Sequence, residues 1–407
     1  MNHTKILSSI LDIGAAMIRS GAETHRVEDS LYRLCAGYGF TGCHVWVVPS
    51  NIQATITSPD GEILTQVRHI PDPGVDFTRL EMLNDLCRHA CAEQPGPETL
   101  RERLSAILDS PPQKTWVRYF AGALAGTCFG VFYNCGWTDA LAALGASLLI
   151  TFLSRKLSRR ESNPLILNFL VSCAAEFFIL GAVALGIGRH PGYITVGVVM
   201  LLISALGTTN GVRDLVHLDT LSGLVNITAS FTGAVGIALG IALPLLLTGH
   251  RGGNELMTVN PDVFLRLISC TLGCAGFAIW FHVRSRNVPV CAVGAFLTWG
   301  IYFLVNLLLH SDFAAVLIAS AACGLYSQIM ARLRKAPATV FMTASVFPLI
   351  PGGSLYSTMY GLVIRNVPYA LSTGVSLVLT CFAIVLGFMA VEVLTRLIWP
   401  EHPPVRT

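Results

Sequence analysis

The 407-residue sequence predicts an all-α polytopic membrane protein, about ten transmembrane helices in two inverted five-helix repeats, with an N-terminal α+β cytosolic domain. Three observations predict it. Charged residues make up only 13% of the chain, about half the share of a soluble globular protein. The charge is uneven: residues 1–116 hold 24 of the 51 Asp, Glu, Lys and Arg and net −4, whereas residues 117–407 hold 27 and net +7. After residue 117, apolar stretches of about 20 residues recur one after another, the length a helix needs to cross a bilayer. The chain therefore divides into a cytosolic domain (1–116), a first five-helix module (117–250) and a second (264–397).

The first stretch, "KILSSILDIGAAMIRSGAE", carries Asp12 and Arg19 inside its apolar run, which reads against a signal peptide. Leu7, Ile10 or Leu11, and Ile18 fall on one face of an amphipathic helix. "SGAETHRVEDSLYRLCAGYGF" predicts a second helix, with Ser20 and Glu23 spaced as a capping box and Gly37 or Gly39 as its stop. Its polar residues Glu23, His25, Arg26, Glu28 and Asp29 form either a solvated face or a face against the membrane modules. In the next segment Trp46, Val48, Ile52, Ala54 and Ile56 are expected on one face of an extended chain, with Gln53, Thr55 and Thr57 on the other. Pro59-Asp60-Gly61 supplies a turn, so a hairpin or small meander follows. Helices around 76–93 and 97–109 close the domain. It contains no phosphate-binding glycine loop, metal-ligand cluster or basic patch, so the sequence points to no metal, no cofactor and no nucleic acid. The 12 cysteines are scattered without a CxxC pair, and read as small buried hydrophobes.

Ten candidate spans follow, at 117–135, 138–154, 165–188, 193–209, 222–248, 264–283, 288–309, 312–331, 338–363 and 369–395. The ninth is broken by Pro348, Pro351, Gly352 and Gly353. With the N-terminal domain inside, alternation places 13 Lys and Arg on the inner side and 4 on the outer side, a bias that orients both termini to the cytosol. Five is odd, so a second set of five runs inverted relative to the first. The fourth-to-fifth and ninth-to-tenth junctions also share a small-residue start, a helical stretch with Arg, and a Ser/Thr-Gly opening of the next span. Inverted repeats with broken helices are an architecture of secondary transporters.

Two places in the membrane part carry polar groups that need explaining. "LGTTNGVRDLVHLDTLSGLV" places Asn210, Arg213, Asp214, His217 and Asp219 between two apolar spans. It is either a polar loop in water or a re-entrant, cavity-lining helix. Glu176 stands mid-span in "NFLVSCAAEFFILGAVALGIG", with no Lys or Arg on the same helix. A carboxylate at that depth costs several kcal/mol unless paired or protonated, which makes Glu176 the candidate proton-coupling group.

"SGAETHRVEDSL", "NGVRDLVHLDTLSGL" and "PLIPGGSLYSTMYGL" resemble the three signature stretches of the threonine/serine exporter family, and their order along the chain is similar to its fused two-module form. The resemblance implies a bacterial inner-membrane exporter of small polar amino acids such as threonine and serine, or of dicarboxylates such as succinate, driven by protons. It singles out Ser20, Gly21, Glu23, Arg26 and Glu28 in the first motif. It places substrate near Asn210, Arg213, Asp214, His217, Asp219, Gly352, Gly353, Ser354, Tyr356 and Arg365. Arg213 or Arg365 would attract a carboxylate, Gly352, Gly353 and Ser354 would offer free backbone amides, and Asn210 and Tyr356 would supply hydrogen bonds. Two departures stand out: Leu206-Gly207 occupies the place of Pro351-Gly352, and Leu218 stands where a small residue is expected before Asp219. The implied partners are the substrate, protons and the lipid bilayer, and the sequence leaves room for a homo-oligomer.

Two rival readings are weaker. Gly352-Gly353-Ser354-Leu355 fits a loose G-x-S-x pattern of a hydrolase, but its candidate bases His217 and His310 map to opposite sides of the membrane. A membrane-tethered sensor would not need ten spans.

Overall fold

The computed structural model describes residues 3–71, 74–161, 163–203, 218–249 and 262–398, together with Gly207, Asn210, Gly211, Asp214 and Leu215. Arg213 and His217 lie outside the described residues.

The soluble domain begins with α1 (His3–Arg19), whose buried face includes Leu7, Ile10, Leu11 and Ile18, the expected stripe. Helix α2 spans Thr24–Gly37 and stops before Gly39, whose φ of +76° suits a residue without Cβ. The expected capping box does not form. Ser20 sits in the turn after α1, where its hydroxyl donates to Ala16 O, and Glu23 itself holds the N-cap position without a side-chain cap.

Strands β1 (Thr41–Val48), β2 (Asn51–Thr57) and β3 (Ile63–His69) form an antiparallel meander in the order β1-β2-β3. The turn at Pro59-Asp60-Gly61 closes with Gly61 N donating to Ser58 O and Gly61 at φ +82°. Ile52, Ala54 and Ile56 are buried as expected, but Trp46 is 49% exposed. The cause is the turn at Pro49-Ser50: Val48 pairs with Asn51 and Val47 with Ile52. Odd positions of β1 therefore share a face with even positions of β2, and Val45 and Val47 point inward. Helices α3 (Phe77–Glu93) and α4 (Pro97–Leu108) complete the domain.

The first helical module comprises α5 (Thr115–Phe132), α6 (Trp137–Leu157), α7 (Pro164–Ala184), α8 (Pro191–Val199) and α9 (Thr220–Thr248). The second comprises α10 (Val263–Trp280), α11 (Val288–Leu309), α12 (Asp312–Arg334), α13 (Ala338–Ser345), α14 (Gly352–Val363) and α15 (Val367–Ile398). Seven of the described helices are long and apolar enough to cross a membrane, and the pair α13–α14, bent by 48° at Pro351, makes an eighth. The protein is thus a multi-pass membrane protein. The count falls short of ten because α5, diluted by glycines and Arg118, and the short α8 do not meet that test. Both are packed against protein, so neither has to be uniformly apolar.

The two modules pair their helices alike. First packs on second, second on third and third on fifth, with α8 in one and α13 in the other lodged against the second and third helices. A shared detail marks the third–fifth contact. Ser172 of α7 donates to Ile237 O of α9, and Ser320 of α12 donates to Ala383 O of α15. The facing glycines, Gly240 and Gly387, leave no room for a Cβ: one would stand 2.5 Å from Phe169 O and 2.6 Å from Leu317 O respectively. Between modules, α5 packs on α10 through Gly276 and Ala125. There Phe277 stacks on Phe347 with ring centroids 3.8 Å apart.

The soluble domain is joined to the modules by one continuous apolar cluster that runs from α1–α4 to Ala278, Val283, Cys291 and Phe341. Backbone bonds continue it: Phe77 N donates to Phe281 O and Thr78 N to His282 O. Glu81, 2% exposed, accepts from Arg284, Arg286 and Asn287.

Candidate functional site

Two polar centres lie along the helical modules, one at the breaks of α8 and α13–α14, the other beneath the soluble domain.

At the breaks, local sequence dictates the geometry. Helix α13 ends at Ser345, a 3-10 turn follows at Phe347–Leu349, and Pro351, which lacks an amide hydrogen, caps the start of α14 at Gly352. Gly197 of α8 lies on Gly130 of α5, backbone against backbone. This close approach carries the end of α8 to the start of α14, where Gly352 faces the Met200 sulfur and Ile203. Helix α14 then packs into the first module: Tyr356 and Tyr360 stack on each other at 6.1 Å and rest on the cluster of Leu180, Val199, Ile237 and Ile241.

Glu176 of α7 is 1% exposed. Thr195 of α8 donates to its Oε2 at 2.7 Å, and Oε1 has no hydrogen-bond partner among the described residues. The carboxyl therefore sits one helical turn before the end of α8. The Gly353 amide stands close to the Tyr133 hydroxyl. Ser354 lies one residue further into the same first turn, and Tyr356 places its hydroxyl beside Gly192 at the start of α8. The structure thus sets Gly352 and Tyr356 against α8, the helix that holds Glu176 through Thr195, with Gly353 and Ser354 in the same first turn of α14. It does not bring Arg365 there: that residue is exposed after the far end of α14, at φ +58°.

Beneath the soluble domain, two of the described polar residues between α8 and α9 are buried. Asn210 is 9% and Asp214 1% exposed. Gly211 lies against Gly223 and Asn226 of α9. Asp214 Oδ2 accepts from Asn226 at 3.0 Å and from Thr24 of α2 at 3.3 Å, and Oδ1 has no partner among the described residues. Burial, then the facing Glu23 carboxylate, push the Asp214 carboxyl up to about 7. Glu23, 8% exposed, accepts from Thr339 of α13 at 2.5 Å. Ser222 of α9 donates to Val47 O of β1. His25, Glu28 and Asp219 present ligand atoms within 4.8 Å of one another, the donor types of a cation site among the described residues. Gly21, at φ +92°, turns the chain between α1 and α2 so that this motif faces the modules, while Arg26 reaches Asn84 on α3. Leu218 adopts φ +66°, which explains why a small residue is expected there.

Sequence reasoning missed two things. It did not anticipate that the first motif and Asp214 are one site, a relation that spans 190 residues in the Thr24–Asp214 bond. It also counted Arg266 only as an outer-side charge, whereas the structure sets Arg266 at the start of α10 within electrostatic reach of Tyr133, Tyr302 and Tyr193.

Comparison with known proteins agrees with this architecture. Residues 8–248 match the family described as "Putative threonine/serine exporter", and residues 266–394 match "Threonine/Serine exporter, ThrE". The chain is similar to a probable threonine/serine exporter of Mycobacterium tuberculosis, with 22% identity covering 90% of this chain and 72% of the relative. It is also similar to a threonine/serine exporter of Corynebacterium glutamicum, with 23% identity covering 90% and 78%. No solved structure matches. These matches name membrane exporters rather than enzymes, and cover both the soluble domain and the two helical modules: the chain belongs to the threonine/serine exporter family.

Proposed function

We propose that this protein is a proton-coupled secondary transporter that exports threonine and serine across a bacterial inner membrane, with both termini and the soluble domain in the cytosol. The five-helix modules are inverted repeats, and substrate passes between them where the breaks of α8 and α13–α14 meet. The observation that carries the reading is Glu176, buried on α7, bonded to Thr195 of α8 and left with one oxygen unpartnered among the described residues. A neutral carboxyl can donate and a carboxylate cannot, so gain or loss of a proton changes what Glu176 asks of α8. That couples a proton to the position of a helix beside the break. The orientation is supported by the soluble domain, which docks on the Arg284–Arg286 and Lys335 ends of the helices, both on the Lys- and Arg-rich side.

Flux into proteoliposomes, with labelled threonine, serine and succinate in parallel and with or without an imposed pH gradient, tests the reading. Gradient-dependent movement of threonine and serine supports it. Movement of succinate alone would assign the protein to dicarboxylates. The Glu176→Gln variant is expected to fold and to lose gradient dependence; unchanged proton-driven flux in that variant removes Glu176 from the mechanism.

A further inference from the structure

We propose that Arg266 is the group that binds the substrate α-carboxylate, acting with the amide end of α14 on the side of the modules away from the soluble domain. This inference rests on the reading that the protein moves amino acids. Arg266 stands in the first turn of α10, fourteen residues before Trp280, so about 21 Å of helical rise separates it from the soluble-domain end. It is half-buried, and no carboxylate among the described residues lies within ion-pair distance. Its Nη2 donates to the Asn134 side chain at 3.0 Å, while its buried Nε has no hydrogen-bond partner among the described residues. A half-buried guanidinium with an unpartnered Nε and no acid beside it among the described residues is an anion site short of its anion.

The surroundings say which anion. Tyr133 at the end of α5, Tyr193 of α8 and Tyr302 of α11 lie within electrostatic reach of the guanidinium, and the Tyr302 hydroxyl donates to Asp312 at 3.2 Å. The Gly353 amide stands close to the Tyr133 hydroxyl. One phenol thus lies between Arg266 and the first turn of a twelve-residue helix, an end that favours negative charge. A planar fork and a helix N-terminus together suit a carboxylate. Thr195, two residues beyond Tyr193, holds Glu176 on a different side of α8. The site at Arg266 therefore calls for a substrate with a free carboxylate, which threonine and serine carry.

The test uses the full chain in proteoliposomes, with threonine as substrate and threoninol, which lacks the carboxylate, as competitor. Wild type is expected to move threonine and to ignore threoninol. Arg266→Gln is expected to raise KM for threonine by at least about 30-fold and to abolish the preference for threonine over threoninol. Arg266→Lys keeps the charge without the fork, and its KM is expected between the two; it decides the matter if the Gln variant does not fold. A KM within twofold of wild type in the folded Gln variant, or in the Lys variant where the Gln variant does not fold, or undiminished discrimination against threoninol in the Gln variant, overturns the inference while leaving the exporter reading intact. A wild type that moves neither threonine nor serine overturns the exporter reading and this inference with it.

Discussion

Glu23 and Thr339 are 316 residues apart in sequence and 2.5 Å apart in space. The next residue, Thr24, reaches Asp214 of the other module. Two consecutive residues at the start of α2, the N-cap Glu23 and Thr24, thus hold both halves of the helical assembly. Thr339→Val keeps the shape of the side chain and deletes the donor, leaving a buried carboxylate short of one bond. We expect a loss of about 1–3 kcal/mol in docking of the soluble domain. Faster hydrogen exchange across Thr24–Gly37 in the variant would report it; unchanged protection would show that the apolar cluster alone holds the domain.

The Asp214 carboxyl gives the same interface a pH dependence. Its ordinary value of 3.8 is raised to about 7 by burial and by Glu23. A raised carboxyl stabilises the docked form while it is protonated. That contribution is complete below the ordinary value and is lost as pH rises through about 7. Docking is therefore expected to be tighter at pH 6 than at pH 8, and Asp214→Asn, neutral throughout, is expected to flatten the difference. Exchange protection of α2 measured at the two pH values checks the sign.

Gly240 and Gly387 occupy matching places in the two modules, each against a serine and a carbonyl of the facing helix. An alanine at either site must push rigid backbone aside, and overpacking of this kind costs about 1–3 kcal/mol or more. Gly240→Ala and Gly387→Ala are expected to lower the Tm of the detergent-purified protein by similar amounts. A large drop from one and none from the other would mean that the third–fifth contacts are not equivalent.

Leu218 is 87% exposed and sits at φ +66°. The left-handed region costs an ordinary residue about 1–2 kcal/mol, and an exposed side chain gives little back. Asn tolerates this region better. Leu218→Asn is expected to raise Tm, and a fall would show that the leucine covers something the isolated chain leaves bare.

Much of this architecture is written locally. The stripe of α1, the Gly61 turn and the Pro351-Gly352 break each depend on a few neighbouring residues, and each is where the sequence places it. The failures have non-local causes. Trp46 reads as inward until the two-residue turn at Pro49-Ser50 shifts the alternation. Ser20 and Glu23 have the spacing of a capping box, but Glu23 is taken by Thr339, which no local pattern reveals. Hydropathy reports contact with lipid, so α5, packed on α6, α8 and α10, falls below the level expected of a span, while α8 falls short by length. Arg266 looks like any charge at a helix end until Tyr133 and Gly353 are seen beside it. Asp214 and Glu176 were legible as polar residues out of place, though their partners were not.

The contacts of the soluble domain have a consequence for how the chain can be divided. The domain is covalently joined to the first module, yet its broad apolar cluster and the Glu81 cluster with Arg284, Arg286 and Asn287 belong to the second. A gene split between α9 and α10 would leave the first product carrying a ready-made handle for the other. The two polypeptides are then expected to co-purify in equal amounts, because recognition between the halves is built into the domain and does not depend on the connecting peptide.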